Sequence, residues 1–220
     1  MIAQPPAPER TALGEQFGTF EQQHQSEELG MWIFLATEVM LFGGLFTAYT
    51  VYSTVYPAGF SEGSRHLDVL LGSVNTAILI ISSLMMSLAV RAAQLGQQRA
   101  LTRYLLGTAL LGVLFLAVKG LEYQKHFVEG MVPGLVWHYV GPFPNQVELF
   151  FFAYFVMTGL HSVHLGMGIA AVLLFAIRAR RDAFPVEHHA PVEMLGLYWH
   201  FVDVVWIFLL PLLYLPGLSS

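Results

Sequence analysis

The sequence predicts an all-α membrane protein, a bundle of five transmembrane helices. Hydrophobic residues make up 55% of the 220-residue chain, charged residues only 11%, and the mean hydropathy is +0.59. A soluble domain carries about 25% charged residues. Five apolar stretches follow one another along the chain, and each reaches the roughly 20 residues that a helix needs to cross a bilayer. The chain contains no cysteine, which excludes disulfides, thiolate metal sites and c-type haem attachment through its own residues.

Residues 1–28 form the only extended polar stretch of the chain. They contain Pro5, Pro6 and Pro8 and end in a Glu- and Gln-rich segment. We expect a mobile leader that becomes a short interfacial helix, followed by the transmembrane domain at residues 29–220. The leader lacks the basic start that is typical of a cleavable signal peptide.

The predicted spans cover residues 29–52, 69–90, 104–123, 147–177 and 195–215. The first span holds a single charge, Glu38, and the second holds none. The third ends in Lys119 and Glu122, which lie three residues apart on a helix and can pair near the membrane surface. The fourth span exceeds the minimal length for crossing a bilayer, so it is expected to tilt or to project into solvent.

The fifth span contains His200 and Asp203, which share a helix face with Trp199 and Trp206. An ionisable residue near the centre of a bilayer costs roughly 2.5–3.5 kcal/mol on insertion scales. These two polar side chains therefore need partners, and the partners must come from other helices.

We expect a buried polar layer built from three helices, and its members are Glu38, His161, His164, His200 and Asp203. At about 1.5 Å per residue, all five side chains reach similar depths in the bundle. Ionisable groups in lipid persist by pairing with one another. The layer is either a structural clamp that fixes helix packing or a proton-relay or cofactor site, and spacing alone leaves both interpretations open.

A cofactor interpretation would place haem between His200 and either His161 or His164. Asp203, one turn from His200, fits better as a partner that orients the imidazole than as a neighbour of haem. No Glu-x-x-His motif, which is typical of carboxylate-bridged metal sites, occurs within the spans. We therefore expect no metal and no cofactor to be bound by this chain.

The charges of the loops predict the orientation of the chain. Seven Lys and Arg residues lie on one predicted side, at Arg10, Arg91, Arg99, Arg103, Arg178, Arg180 and Arg181, and the other three are Arg65, Lys119 and Lys125. The positive-inside rule then places the N-terminus in the cytoplasm and the C-terminus outside, as an odd number of spans requires. His188 and His189 are expected to be solvated in a cytoplasmic loop, and the aromatic loop at 126–145 is expected to fold back against the outer membrane surface.

Several segments resemble one family. The segment Tyr198 to Trp206 (YWHFVDVVW) resembles the last-helix signature of subunit III of haem–copper oxidases. The resemblance extends to three further segments, which are Thr158 to Gly166 with its His-x-x-His pattern, Ala36 to Val39 around the intramembrane glutamate, and Lys119 to Tyr123. Together these segments cover residues from about 31 to 215, in the short five-helix form that lacks the first two helices of the seven-helix form.

The resemblance implies a subunit without a redox centre in the bacterial inner membrane, non-catalytic by itself within an oxidoreductase complex of cytochrome c oxidase type. Its main contact would be the catalytic subunit I, which would hold the haem and copper, and the other oxidase subunits and membrane lipids would be further partners, with no nucleic acid. Structural phospholipid is the one ligand that the resemblance suggests for this chain. Glu38 would be the buried carboxylate related to protons, in a subunit that stabilises the catalytic subunit and supports proton uptake and sustained turnover.

Two alternatives remain open from the sequence. The same fold could serve a quinol oxidase or a nitric oxide reductase complex. A standalone proton-coupled transporter that uses the polar layer is more distant, because transporters usually show internal repeats and helices broken at mid-span. Here Pro211 lies near the exit of the last span.

Overall fold

A computed structural model describes residues 20–180 and 189–218 of the chain. Its helices are α1 Phe20–Val55, α2 Pro57–Arg65, α3 Val69–Gln94, α4 Gln98–Val128, α5 Pro144–Ala179 and α6 Ala190–Tyr214, followed by a short 3-10 helix at Pro216–Leu218. Strands β1 Met131–Val132 and β2 Val136–Trp137 form an antiparallel hairpin between α4 and α5. The chain divides into two compact units, residues 1–40 and residues 41–220.

Five helices are long and apolar enough to cross a membrane, namely α1, α3, α4, α5 and α6. The prediction of an all-α membrane protein with five spans is therefore confirmed. The helices are longer than the apolar stretches, because polar residues at the ends continue the helical hydrogen bonding. The third span, for example, was expected at 104–123 and runs from Gln98 to Val128. Helix α1 begins at Phe20, so the leader boundary expected at residue 28 falls inside a continuous helix.

Local signals set the ends of the central helices. Asp68 caps the start of α3, where its carboxylate accepts hydrogen bonds from the backbone N–H groups of Leu70 and Leu71 at 3.0 and 3.1 Å. Gly96 adopts a φ of +68° in the tight turn between α3 and α4, a conformation that glycine reaches without steric cost. These two signals make α3 and α4 a close antiparallel pair.

The connection between α1 and α3 is itself structured. Helix α2 packs against α5 and against the 3-10 helix. The Ser64 hydroxyl of α2 donates a hydrogen bond to the Leu213 carbonyl at 2.8 Å and accepts one from the Gly217 N–H at 3.1 Å. These two hydrogen bonds connect the end of α6 and the following 3-10 helix to α2. In the loop at 126–145, which was expected to lie against the membrane surface, the chain folds into the β1–β2 hairpin, and the rings of Trp137 and Tyr139 lie 5.9 Å apart.

The packing core of residues 41–220 lies between α3, α4, α5 and α6, where α3 packs on α4 and α6, and α5 packs on the same two helices. Trp199 and Trp206 of α6 are fully buried there. Gly112 and Gly168 make room for the Trp199 ring, since a Cβ atom at either position would approach that ring to 3.0 and 3.3 Å. Small residues at helix crossings allow this close approach in membranes.

Candidate functional site

The strongest concentration of charge in the interior is the pair Lys119 and Glu122 on α4. The Lys119 ammonium lies 3.0 Å from Glu122 Oε2, and the two residues are only 2% and 1% exposed. Their spacing of three residues places both side chains on one face of the helix, which turns toward α5 and α6. The sequence predicted that these two side chains pair with each other near the membrane surface. In the structure they pair, and both are enclosed within the helix packing.

Two tyrosines from neighbouring helices complete the cluster. Lys119 Nζ donates hydrogen bonds to the hydroxyls of Tyr154 on α5, at 2.9 Å, and Tyr214 on α6, at 2.8 Å. The same hydroxyls donate to Glu122 Oε1, at 2.9 and 2.6 Å respectively. Every ammonium hydrogen of Lys119 therefore has an acceptor, and each Glu122 oxygen accepts at least one hydrogen bond. We call these four residues the Lys119 cluster.

Aromatic rings and a further hydrogen bond between helices surround the Lys119 cluster. Lys119 Nζ lies 4.6 Å from the centroid of the Tyr154 ring and 5.1 Å from that of Trp206, distances typical of cation–π attraction. Next to it, Tyr123 and Thr158 join α4 to α5 through a hydroxyl–hydroxyl bond of 2.6 Å. Thr158 Oγ1 already donates to the Tyr154 carbonyl, so Tyr123 is the donor in this bond.

The Lys119 cluster acts chemically as a lock between helices. A buried charge pair persists in a low-dielectric interior only when further hydrogen bonds satisfy both ions, and here α5 and α6 each supply one phenol for that purpose. The ions leave no ammonium hydrogen free for a substrate. The arrangement fixes the relative positions of α4, α5 and the last turn of α6.

The histidines of α5 lie in two different environments. His161 is fully buried, and its ring lies 5.2 Å from Trp206 and 5.6 Å from Phe115. His164 is 6% exposed, and its Nδ1 lies 2.9 Å from the Leu160 carbonyl, so Nδ1 carries the proton of that hydrogen bond. His161 thus packs among aromatic rings, whereas His164 is held by its own helix.

His200 turns toward α3, in accordance with the expectation that it faces the bundle. Its Nδ1 lies 2.7 Å from Ser83 Oγ and its Nε2 lies 3.3 Å from Ser87 Oγ. Asp203, one turn further along α6, is 5% exposed. Neither of its oxygens has a hydrogen-bond partner of standard geometry among the residues that the structure describes. The Ser83 side chain interacts with the Asp203 carboxyl group, and the expectation that a neighbouring polar side chain donates to Asp203 stays a prediction.

The structure thus assigns different partners to the members of the expected polar layer. Glu38 lies on α1 in the unit formed by residues 1–40, and its place in the layer stays a prediction. Both ring nitrogens of His200 face serines of α3, which does not fit a haem held between His200 and a histidine of α5.

The sequence predicted that no metal binds and that the loop histidines, His188 and His189, are solvated. Within residues 20–180 and 189–218, no group of three or more His, Cys, Asp or Glu side chains is placed to hold a metal ion. His189 Nε2 lies 3.2 Å from Glu193 Oε1 at the start of α6. His188 falls outside the described residues.

Sequence reasoning missed the tyrosines of the Lys119 cluster and the serines that hold His200. A signal for the tyrosines was present, because a phenol inside a membrane span needs a hydrogen-bond partner. Ser83 and Ser87 are four residues apart, so they lie on the same face of α3. A single side chain can therefore contact both of them. The sequence does not reveal which helix supplies that side chain.

The fold and the site define a class, a multi-pass helical membrane protein whose interior charges lock its own helices together. The model of the family described as cytochrome c oxidase subunit III matches residues 11–218. This chain belongs to that family, the subunit III proteins of haem–copper oxidases.

Relatives in the family serve oxidases with different electron donors. The chain is 37% identical to cytochrome c oxidase subunit 3 of Synechocystis sp. over 187 residues, which cover 84% of this chain and 74% of the relative. It is 33% identical to cytochrome c oxidase subunit 3 of Corynebacterium diphtheriae, over 81% and 82% of the two chains. It is also 30% identical to quinol oxidase subunit 3 of Bacillus spizizenii, over 90% and 93%.

Proposed function

We propose that this chain is the accessory, non-redox subunit III of a bacterial terminal oxidase of cytochrome c oxidase type. It lies in the inner membrane with its N-terminus in the cytoplasm and binds beside the catalytic subunit I, which holds the haem and copper. The family match over residues 11–218 is the observation that carries this proposal. The identity of 37% to a cytochrome c oxidase subunit 3 favours cytochrome c as the electron donor of the complex.

The side-chain chemistry supports an accessory role. The Lys119 ammonium and the Glu122 carboxylate are hydrogen-bonded to each other and to side chains of α5 and α6. A bundle whose helices are joined by these hydrogen bonds is suited to act as a rigid support for a neighbouring subunit. The proposed contribution to catalysis is indirect: the chain stabilises subunit I, and Glu38 assists proton uptake during sustained turnover.

A second candidate is the same role in a quinol oxidase. The relatives named as quinol oxidase subunits, at 30% and 29% identity, cover about nine tenths of this chain. The two candidates differ in the electron donor, which the redox subunits of the complex recognise, and they make the same demands on this chain.

Purification of the native complex through an affinity tag on this chain tests the proposal. We expect haem, copper and the catalytic subunit to co-purify with it, and oxygen consumption to be supported by reduced cytochrome c. Activity with quinol alone would identify the second candidate, and a chain that purifies without any haem-containing partner would refute both.

The isolated chain provides the complementary measurement. Because the ring nitrogens of His200 lie beside serines, Nδ1 of His164 lies beside a backbone carbonyl and the His161 ring packs on Trp206, we expect no haem Soret band from the chain purified alone. Stoichiometric haem in that preparation would contradict the assignment of all redox centres to partner subunits.

A further inference from the structure

Residues 129–143, which connect α4 to α5, lie over the ends of both helices, and we call them the strap. Strand β1 of the strap packs on α4 and α5. The hairpin is closed by the His138 N–H, which donates a hydrogen bond to the Gly130 carbonyl at 2.8 Å. From β2, the centroid of the Trp137 ring lies 6.1 Å from that of Phe151 on α5. The strap thus contacts two of the three helices that the Lys119 cluster joins.

A series of buried rings leads from the strap to the Lys119 cluster. Phe151 is fully buried, and the centroid of its ring lies 5.3 Å from that of His126 on α4. The His126 ring in turn lies 5.7 Å from the ring of Tyr154, a member of the cluster. His126 follows Glu122 by four residues, so it lies one helical turn closer to the strap on the same face of α4. Water that reached His126 would therefore be one turn from the buried ion pair.

The burial of His126 depends on the packing around it. The residue is only 1% exposed, although α4 ends two residues later. Its Nδ1 lies 3.6 Å from Oε2 of Glu129, the first residue of the strap, whose side chain is 37% exposed. Neither ring nitrogen has a hydrogen bond of standard geometry among the residues that the structure describes. Since a polar group without hydrogen bonds is more stable in water than in an apolar interior, packing contacts must keep water from this ring.

The backbone at the two ends of the strap is suited to a change of conformation. Gly130 has a φ of +70°, and glycine adopts positive and negative φ with similar ease. At the other end, Phe143 has a φ of +55° and is the only residue other than glycine with a positive φ in the described part of the chain. A bulky side chain is strained in this conformation, and such strain persists only while surrounding contacts enforce it. Rotation at these two residues would release the strap from the helices.

Tyr139 connects the strap to α2. Its ring lies 5.6 Å from the ring of His66, which follows α2, in an edge-to-face arrangement with an interplanar angle of 84°. It also lies 5.9 Å from the Trp137 ring, and the Tyr139 side chain interacts with the Glu62 carboxylate of α2. Val140, the next residue, is 98% exposed. Tyr139 therefore docks the strap on α2, whereas its neighbour along the chain does not.

We propose that the strap is a gate that keeps water from the Lys119 cluster, held closed by Tyr139 on α2 and hinged at Gly130 and Phe143. In the closed state, the strap covers the rings that surround His126. Segments with few packing contacts open locally at a lower free-energy cost than the core of a protein. The gate therefore opens without unfolding of the helices.

Opening of the gate acts on the lock between the helices. Water at His126 raises the dielectric constant around Glu122, and the attraction between Lys119 and Glu122 falls as the dielectric constant rises. The hydrogen bonds that join α4, α5 and α6 then compete with hydrogen bonds to water. All of these contacts lie within this chain, so the gate goes beyond the proposed function and does not depend on the partner subunits.

Chemical modification of histidines tests the gate. The protein is purified from native membranes with its associated subunits, treated with diethyl pyrocarbonate and analysed by mass spectrometry. We expect the exposed His138 of the strap to react readily and His126 to be protected. Tyr139→Ala removes the contact with α2, and we expect about tenfold faster modification of His126 in this variant. Equal rates in the wild-type protein and in Tyr139→Ala would overturn the inference.

Val140→Ala is the matched control, because it shortens an exposed side chain at the next position of the strap. This variant should leave His126 protected, and modification as fast as in Tyr139→Ala would contradict the docking role of Tyr139. Tyr139→Phe keeps the aromatic contacts and should retain most of the protection.

Hydrogen exchange on the same samples separates opening of the gate from general unfolding. We expect faster exchange in the strap of Tyr139→Ala and unchanged exchange in α3. Unchanged exchange in the strap would show that Tyr139 does not hold it closed. Faster exchange in α3 as well would show that Tyr139 supports the whole bundle, and either result would overturn the inference of a local gate.

Discussion

At the scale of single residues, the buried polar groups divide according to whether this chain satisfies them. Lys119 and Glu122 find all their partners on α4, α5 and α6. Asp203, at comparable burial, has no hydrogen bond of standard geometry among the described residues, and the Ser83 side chain interacts with its carboxyl group. A satisfied buried pair stabilises the position of the helices that carry it, whereas an unsatisfied carboxyl group favours any partner that supplies a donor.

The Lys119 cluster predicts a large asymmetry between single and double substitutions. Lys119→Met leaves Glu122 as an uncompensated buried charge, so we expect a loss of about 3–5 kcal/mol in the free energy of unfolding. The double variant Lys119→Met with Glu122→Gln removes both charges and should recover most of that loss. Thermal unfolding of the purified chain in detergent measures both. A double variant that is less stable than Lys119→Met would contradict the stranded-charge argument.

Glu38 predicts an effect on turnover without an effect on assembly. Glu38→Gln keeps the shape and the hydrogen-bonding capacity of the side chain but removes its ionisable group. We expect normal recovery of the chain with the oxidase complex and a progressive loss of oxygen consumption over many turnovers. Undiminished activity in prolonged assays would exclude the proton-related role. Thr37→Ser, at the neighbouring position of the same helix, is a control that should retain wild-type activity.

The sequence predicted the contact between two charged side chains of one helix, but it did not predict the contacts that these side chains make with other helices. Lys119 and Glu122 were recognisable as a pair because their spacing of three residues places them together on any helix. Tyr154 and Tyr214 lie 35 and 95 residues from Lys119, and their convergence depends on how the helices pack. That packing is a tertiary property which local periodicity does not encode.

At the scale of the helices, hydropathy is a local property, and this explains why the five spans were predictable. The ends of the spans were less predictable than the spans themselves. Helix α4, for example, continues through Arg99 and Arg103 at one end and through Lys125 at the other. Charged residues at a helix end are solvated or lie at the membrane interface, so they lower the hydropathy without interrupting the backbone hydrogen bonds. The short helix α2 was not predicted, since its nine residues are too few and too polar to resemble a span.

The crossing of α4, α5 and α6 depends on the space left by Gly112. A Cβ atom at this position would lie 3.0 Å from both Ile169 and Trp199, whereas nothing lies within 4 Å of the position of a Cβ at Gly120 on the same helix. We expect Gly112→Leu to destabilise the chain by about 1–3 kcal/mol through overpacking. The identical substitution at Gly120 should be close to neutral. Thermal unfolding of the two variants side by side provides the comparison, and equal stability would contradict the close packing of these helices.

At the scale of the whole molecule, the distribution of charge predicts which side of the membrane each loop faces. The turn between α3 and α4 is flanked by Arg91, Arg99 and Arg103, whereas the segment between α4 and α5 contains no Lys or Arg from residue 129 to 143. By the positive-inside rule, we expect the basic turn to lie in the cytoplasm and the β1–β2 hairpin to lie outside. The same rule predicts an N-terminus inside and a C-terminus outside, given the five spans found among the described residues.

Single cysteines in the cysteine-free chain test this orientation directly. We expect Gln97→Cys in the α3–α4 turn to react with a membrane-impermeant maleimide only after the cells are opened, because the basic residues around the turn predict that it faces the cytoplasm. Val140→Cys, at a position 98% exposed in the loop before α5, should react in intact cells of a strain whose outer membrane is permeabilised. The parent chain without cysteine is the control for background labelling. Reaction of both cysteines from the same side would refute the five-span arrangement, and exchange of the two results would reverse the predicted orientation, with the C-terminus then in the cytoplasm.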